Sequence, residues 1–169
     1  MSKASVSTIG FTQTTAEGFF DRLLKAGIEK VVDVRLHNTS QLGGFAKADD
    51  LAYFLKKIGG IRYVHQPLLA PTDAMLKAYK KDKCDWRVYE GRFLALMAER
   101  QIEKQLKPEM LDGACLLCSE ATPHHCHRRL VAAPSTLWFS TARRRRLQIP
   151  TDELLVCTCA CTWRDRLEI

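Results

Sequence analysis

Between Cys115 and Leu130 the chain reads CLLCSEATPHHCHRRL. Three of its seven cysteines, three of its five histidines and an Arg pair fall within this stretch. Thiolates attack carbon, sulfur or phosphorus centres and hold soft metals, and an imidazole moves protons near neutral pH. Cys118 and Glu120 stand two apart, so an extended strand end turns both to one side. Pro123 suits the first turn of a helix, which would bring in Cys126, His127 and Arg128. The exposed N–H groups of such a turn favour an anion and lower the pKa of a nearby thiol.

One chemical reading makes Cys118 or Cys126 a nucleophile or ligand, with His127 as general acid or base. Glu120 is then its partner or a separate base, and Arg128 or Arg129 offers a planar fork to a phosphate or carboxylate. The plainer reading makes the cysteines small buried hydrophobes and His127 a helix cap. A metal is the other alternative. Cys115 and Cys118 have the C-x-x-C interval but sit in an apolar strand, where an offset of three points them to opposite faces. A site built from Cys118, Cys126 and a histidine, with or without Glu120, stays open.

A second polar group lies in VVDVRLHNTSQ. Asp33 and Arg35 are two apart at the end of an apolar run, and a buried charge needs a partner or a role. They read either as a structural ion pair, with Arg128 or Lys47 as further partners, or as a substrate clamp. In the clamp, Arg35 holds an anion, Asp33 orients it or takes a proton, and Asn38, Ser40 and Gln41 read polar groups. Tyr63 and His65 end the next strand and can join them, whereas the helical spacing of Trp86, Tyr89 and Phe93 reads as core packing rather than a base-stacking platform.

The elements that must position these groups alternate. VSTIGF, KVVDVRL, IRYVHQPL and ACLLCSE read as strands. TTAEGFFDRLLKAGI, stopped by Gly27, and KADDLAYFLKKIGG read as helices, as do TDAMLKAYKKDK, a long DWRVYEGRFLALMAERQIEKQL and PHHCHRRLVA. Strand–helix alternation predicts an α/β fold: a single domain with a mainly parallel, Rossmann-like sheet and helices on both faces. Ligands of open α/β sheets bind outside the carboxyl ends of the strands, where the DVR and CSE corners both fall.

Length and composition agree with one soluble domain: 169 residues, 46% hydrophobic and 27% charged. No apolar run is long enough to cross a bilayer, and the first residues lack the apolar core of a signal peptide. A cytoplasmic setting with reduced cysteines is therefore expected, with no membrane partner. The net charge of +7 favours an anionic small molecule or nucleic acid, but Arg143–Arg146 contributes four of those charges and leaves +7 − 4 = +3 for the rest. The sequence does not fix the oligomeric state.

STIGF, VVDVRLHNTSQLGGFAK, DDLAYFL, GIRYVH, the W-x-x-Y-E-x-R-F-L helix and CLLCSEATPHHCHRRL together resemble the bacterial domain-of-unknown-function family numbered 488, over about residues 6–132. The resemblance implies a compact Rossmann-like α/β domain. It also marks Asp33, Arg35, Cys118, Glu120, Cys126, His127 and Arg128 as signature groups, without supplying a reaction. A weaker similarity links the DVR strand end and the thiol corner to rhodanese-type sulfurtransferases and Cys phosphatases, though their short Gly-rich Cys-to-Arg cradle is missing here. The expectation is thus an α/β domain over residues 1–132 and a divergent, loosely packed tail over 133–169, diverged or read out of frame, with Cys157, Cys159 and Cys161 on one face if extended. The expected activity is that of a thiol-dependent transferase or hydrolase acting on a phosphate-bearing or nucleotide-like anion without a cofactor. A non-catalytic nucleotide or nucleic-acid binding module and the metal site are its alternatives.

Overall fold

The computed structural model describes residues 6–81, 84–107 and 110–132. Four strands, β1 (Val6–Gly10), β2 (Lys30–Asp33), β3 (Arg62–His65) and β4 (Ala114–Cys118), form one parallel sheet in the order β1-β4-β2-β3. The helices are α1 (Ala16–Lys25), α2 (Ala48–Gly59), α3 (Asp73–Lys80), α4 (Trp86–Glu99), α5 (Ile102–Gln105) and α6 (His127–Ala132). Short 3-10 turns occupy Gln41–Ala46 and Pro67–Leu69. The α/β class and the parallel sheet are as the alternating pattern predicts.

Local chemistry explains most boundaries. The Thr15 hydroxyl caps α1 by accepting from the Gly18 N–H, and Phe19, Phe20 and Leu23 then fall on its buried side. Gly27, at φ 63°, turns the chain left-handed after that helix, a conformation open to glycine at little cost. β4 is buried along its whole length because it lies inside the sheet, with β1 on one side and β2 on the other.

The two faces carry separate cores. Phe19, Leu23, Leu51 and Leu55 from α1 and α2 pack on Val31, Cys115 and Leu117. On the opposite face Phe93, Met97, Ile102 and Leu130 pack on Val32, Leu116 and Cys118. Cys115 and Cys118 therefore belong to different cores, as their odd offset requires.

Two boundaries differ from the sequence reading. The long helix expected after Asp85 breaks at Gln101, which adopts a left-handed φ of 48°. The break lets Ile102 and Leu106 turn into the core, which a straight continuation would not allow. The last helix begins at His127 rather than at Pro123. A turn closed by the Cys126 N–H on the Pro123 carbonyl (3.2 Å) precedes it. Among the described residues no helix is long and apolar enough to cross a membrane. The tail from residue 133, with Arg143–Arg146, Cys157, Cys159 and Cys161, lies outside the described residues.

The strand order sets up the site. In register, Gly10 pairs with Cys118 and Asp33 with Leu117, so β1, β4 and β2 end nearly level. The DVR and CSE corners leave the sheet side by side.

Candidate active site

The corner after β4 is held from three directions. Gly10 lies so close that a Cβ there would stand 1.8 Å from the Glu120 carbonyl oxygen, so only glycine fits. Thr12 donates to the Ser119 carbonyl through both its backbone N–H (3.2 Å) and its hydroxyl (2.7 Å). Arg128, 1% exposed, reaches back from α6 and donates from Nη1 to the Glu120 carbonyl (2.5 Å) and from Nη2 to that of Ala121 (3.3 Å). Its Nη1 also lies 3.8 Å from Cys126 Sγ, while its Nε is buried with no acceptor among the described residues.

This scaffold brings Cys118, Cys126 and His127 together. All three are buried, and Cys118 Sγ, Cys126 Sγ and a His127 ring nitrogen lie within 4.8 Å of one another. His127 Nε2 stands 2.9 Å from the Val34 carbonyl oxygen, which can only accept, so Nε2 carries a hydrogen. Nδ1 therefore faces Cys118 Sγ at 3.9 Å, either with a lone pair or, when charged, with a second hydrogen. Phe93 packs against the ring (centroids 5.5 Å apart) and fixes its plane.

The electrostatics follow from these contacts. The hydrogen bond from the Cys126 thiol, then the contact with His127 and the charges of His127 and Arg128, hold the Cys118 thiol well below its ordinary value against the opposing effect of burial. The same hydrogen bond, reinforced by burial and by the Cys118 charge, keeps the Cys126 thiol well above its own. The anion is thus assigned to Cys118, which receives donors from two sides. Burial opposes the charged form of His127, but its contact with Cys118 and the Cys118 charge outweigh that effect and raise it.

Asp33 and Arg35 pair with each other rather than with Arg128 or Lys47. Asp33 Oδ1 accepts from the Arg35 backbone N–H (3.0 Å) and Nε (2.8 Å), and Oδ2 accepts from Nη2 (2.6 Å). Oδ2 also accepts from the Tyr63 hydroxyl (2.6 Å), with Asn38 Nδ2 at 3.4 Å. Arg35 Nη2 donates further to the Ala46 carbonyl, and the Arg35 carbonyl lies 2.9 Å from His65 Nε2. Burial works against the charge of Arg35, but its hydrogen bond to Asp33 and the carboxylate charge outweigh that and raise its pKa. Burial, with the bond to Asp33, lifts the Tyr63 phenol above its usual range.

A cavity of about 150 Å³ opens between the two corners. Cys118, Glu120, Cys126, His127 and Arg35 all line it. Asp33 and Asn38 stand behind Arg35, Arg128 supports the corner from outside, and Ser40 and Gln41 are not among the walls. The Ser40 hydroxyl instead accepts from the Leu42 N–H. Walls not expected from the sequence come from α3 and α4: Tyr79, Lys80 and Tyr89, with His125 beside them. Helical spacing marks such residues as inward-facing, but cannot say that a helix passes over a strand end instead of a closed core. A larger cavity of about 350 Å³ lies by Val32, Val64 and Leu106. Among the described residues its walls hold lysine and arginine but no thiol, imidazole or carboxylate, so the smaller one is the candidate site.

Comparison with known proteins adds one finding. The family model described as Domain of unknown function DUF488 matches residues 15–134. No curated protein and no solved structure matches the chain.

Proposed function

We propose that this chain, which belongs to the DUF488 family, is a metal-dependent enzyme whose Cys118, Cys126 and His127 hold one soft divalent ion such as zinc. The carrying observation is the convergence of two buried sulfurs and one imidazole nitrogen within 4.8 Å, all on the wall of one cavity. Bond lengths of about 2.3 Å to sulfur and 2.0–2.1 Å to nitrogen put the ligand atoms of a tetrahedral site roughly 3.5–3.8 Å apart. The Cys118–His127 separation of 3.9 Å is already close to that, so closing the set needs side-chain movement of an ångström or less.

The outer contacts fit as well. A metal-bound imidazole commonly donates its second N–H to a carbonyl, as His127 Nε2 does to Val34. A deprotonated Cys126 would face the Arg128 guanidinium, which is ready to donate to it. Three protein ligands beside a cavity leave a fourth position for water or substrate, the arrangement of catalytic rather than structural sites. A bound ion there supplies polarisation of an oxygen or a nucleophilic hydroxide. Glu120, at the same cavity and 3.6 Å from Lys80 Nζ, is the carboxylate placed to move protons.

One observation favours a second reading. The lowered Cys118 thiol and the raised His127 also describe a thiolate–imidazolium pair ready for nucleophilic attack without metal. Elemental analysis of the full chain purified without added metal decides between them. The metal reading expects about one ion per chain, lost in Cys118→Ser, Cys126→Ser and His127→Gln, each variant folded by circular dichroism. A metal-free wild type whose Cys118 alkylates readily at acid pH would replace it with the thiolate reading.

A further inference from the structure

The cavity walls carry information on what enters, and this inference rests on the site proposed above. Its volume, about 150 Å³, is well below the roughly 300–1,000 Å³ typical of pockets for larger organic ligands. Its enclosed part suits one compact ring, and the rest of a nucleotide would lie outside it. Of the basic side chains on its wall, Arg35 pairs with Asp33 at 2.6 Å, His37 with Asp73 at 2.7 Å and Lys80 with Glu120 at 3.6 Å. A phosphate would have to compete with a carboxylate for every one of them.

One side of the cavity is aromatic. Tyr79 and Tyr89 stand 4.7 Å apart, Trp86 stacks on Tyr89 at 5.4 Å and 25°, and His125 lies 5.3 Å from Trp86. Tyr79, Tyr89 and His125 of this ladder reach the cavity wall, and Pro71 and Leu76 give it apolar surface as well. Tyr89 is buried and packed against Trp86, Phe93 and Tyr79, so the rings open to a ligand are those of Tyr79 and His125. Such a slot favours a flat ring with π-faces over a flexible or saturated one. Ser119, Glu120 and Lys80 add hydrogen-bonding groups, so a ring bearing heteroatoms is preferred to a hydrocarbon. The inner end is the Cys118–Cys126–His127 cluster, where an ion of the proposed kind takes nitrogen donors well.

We infer that the site binds an uncharged, planar nitrogen heterocycle of single-ring size, packed against the Tyr79 and His125 rings with one edge toward the Cys118–Cys126–His127 cluster.

The test is equilibrium dialysis of the full chain, incubated with zinc and freed of excess, against uracil and cytosine, with metal content measured in the same sample. Dihydrouracil is the non-planar control, and uridine 5′-monophosphate reports a preference for phosphate. Both pyrimidines should bind. Dihydrouracil should bind at least about fivefold more weakly, and the nucleotide no more tightly than the free base. His125→Ala, at an exposed position, should weaken the pyrimidines by a similar factor, and so should Tyr79→Leu at a half-buried one. Binding of dihydrouracil as tight as uracil, a nucleotide preference of tenfold or more, or metal-loaded protein that takes up no pyrimidine would each overturn the inference. Pyrimidine uptake by protein that holds no metal supports the ring site and removes the metal reading alone.

Discussion

At the scale of single residues, the orientation of His127 governs the chemistry. Val34 claims one ring nitrogen through a carbonyl that cannot donate, so the other has no choice but to address Cys118. This gives the site a pH signature in the metal-free protein. Cys118 has a folded pKa below its unfolded value, so its stabilising contribution is complete above the ordinary thiol pKa and is lost as pH falls through the folded value. His127 has a raised folded pKa, so its contribution is complete below the ordinary imidazole value and is lost as pH rises through the folded one. The thiolate–imidazolium pair thus persists between the lowered Cys118 pKa and the raised His127 pKa. Thiolate absorbance of chelator-treated protein, followed from alkaline to acid pH, should show one thiolate surviving well below the ordinary thiol range. In His127→Gln the midpoint should move up. A single transition at the ordinary value, unchanged by the substitution, would contradict the assigned pair. Asp33 offers a second residue-scale expectation. Its carboxylate holds Arg35, Tyr63 and Asn38 in a largely buried network, so Asp33→Ala leaves a buried guanidinium unpaired and should cost about 3–5 kcal/mol in urea unfolding. Tyr63→Phe removes one donor and should cost only about 1 kcal/mol. Equal costs would mean that the charge pair is not the main element of the network.

Between residue and fold stand the elements that aim these groups, and the corner after β4 depends on β1. Gly10→Ala places a methyl carbon against backbone that cannot rotate away, unlike a crowded side chain. We expect a loss of about 1–3 kcal/mol of stability and, with Glu120 and Arg128 displaced, weaker metal retention than wild type by elemental analysis after dialysis. Full stability in this variant would show that the corner is more yielding than its contacts suggest. The same corner shows why part of the site was legible in sequence. Cys118 and Glu120 are near neighbours on a strand end, and Cys126, His127 and Arg128 are consecutive, so spacing alone collects them. The pairing of Asp33 with Arg35 was equally local. The role of Arg128 was not, because a guanidinium that supports two backbone carbonyls reads in sequence like one that awaits an anion. The start of α6 was misplaced for a related reason. Pro123 fits a first helical turn, but here it serves a turn that brings Cys126 to the cavity wall. Gln101 carries no sign of a left-handed break, since only the burial of Ile102 and Leu106 requires it. Spacing reads Tyr89 as core packing and gives no sign of Tyr79, because the route of α3 and α4 over the strand ends is a tertiary fact.

The whole molecule shows why such a cluster can be kept buried. Its strands run in one direction, and the order β1-β4-β2-β3 brings the two polar corners together at one end of the sheet, while both faces are sealed by apolar cores. The ligand set draws on β4 and the start of α6, and its orienting carbonyl comes from the end of β2. An ion there would fix the end of β4 to the start of α6, with the end of β2 joined through the Val34 carbonyl, and the unfolded chain holds no such preformed site. Metal binding should therefore appear as folding stability, growing as RT ln(1 + [metal]/Kd), about 2.7 kcal/mol at a hundredfold excess over Kd. For a chain of this length that corresponds to an increase in Tm of roughly 5–11 °C. Calorimetry of the full chain with zinc and with chelator should show this difference in the wild type. It should vanish in Cys118→Ser and Cys126→Ser but persist in Glu120→Gln, since Glu120 is no ligand in this assignment. A wild-type Tm indifferent to chelator would remove the metal from the centre and leave the Cys118–His127 pair to account for the site. A shift that survives both serine variants would place the ion elsewhere in the chain.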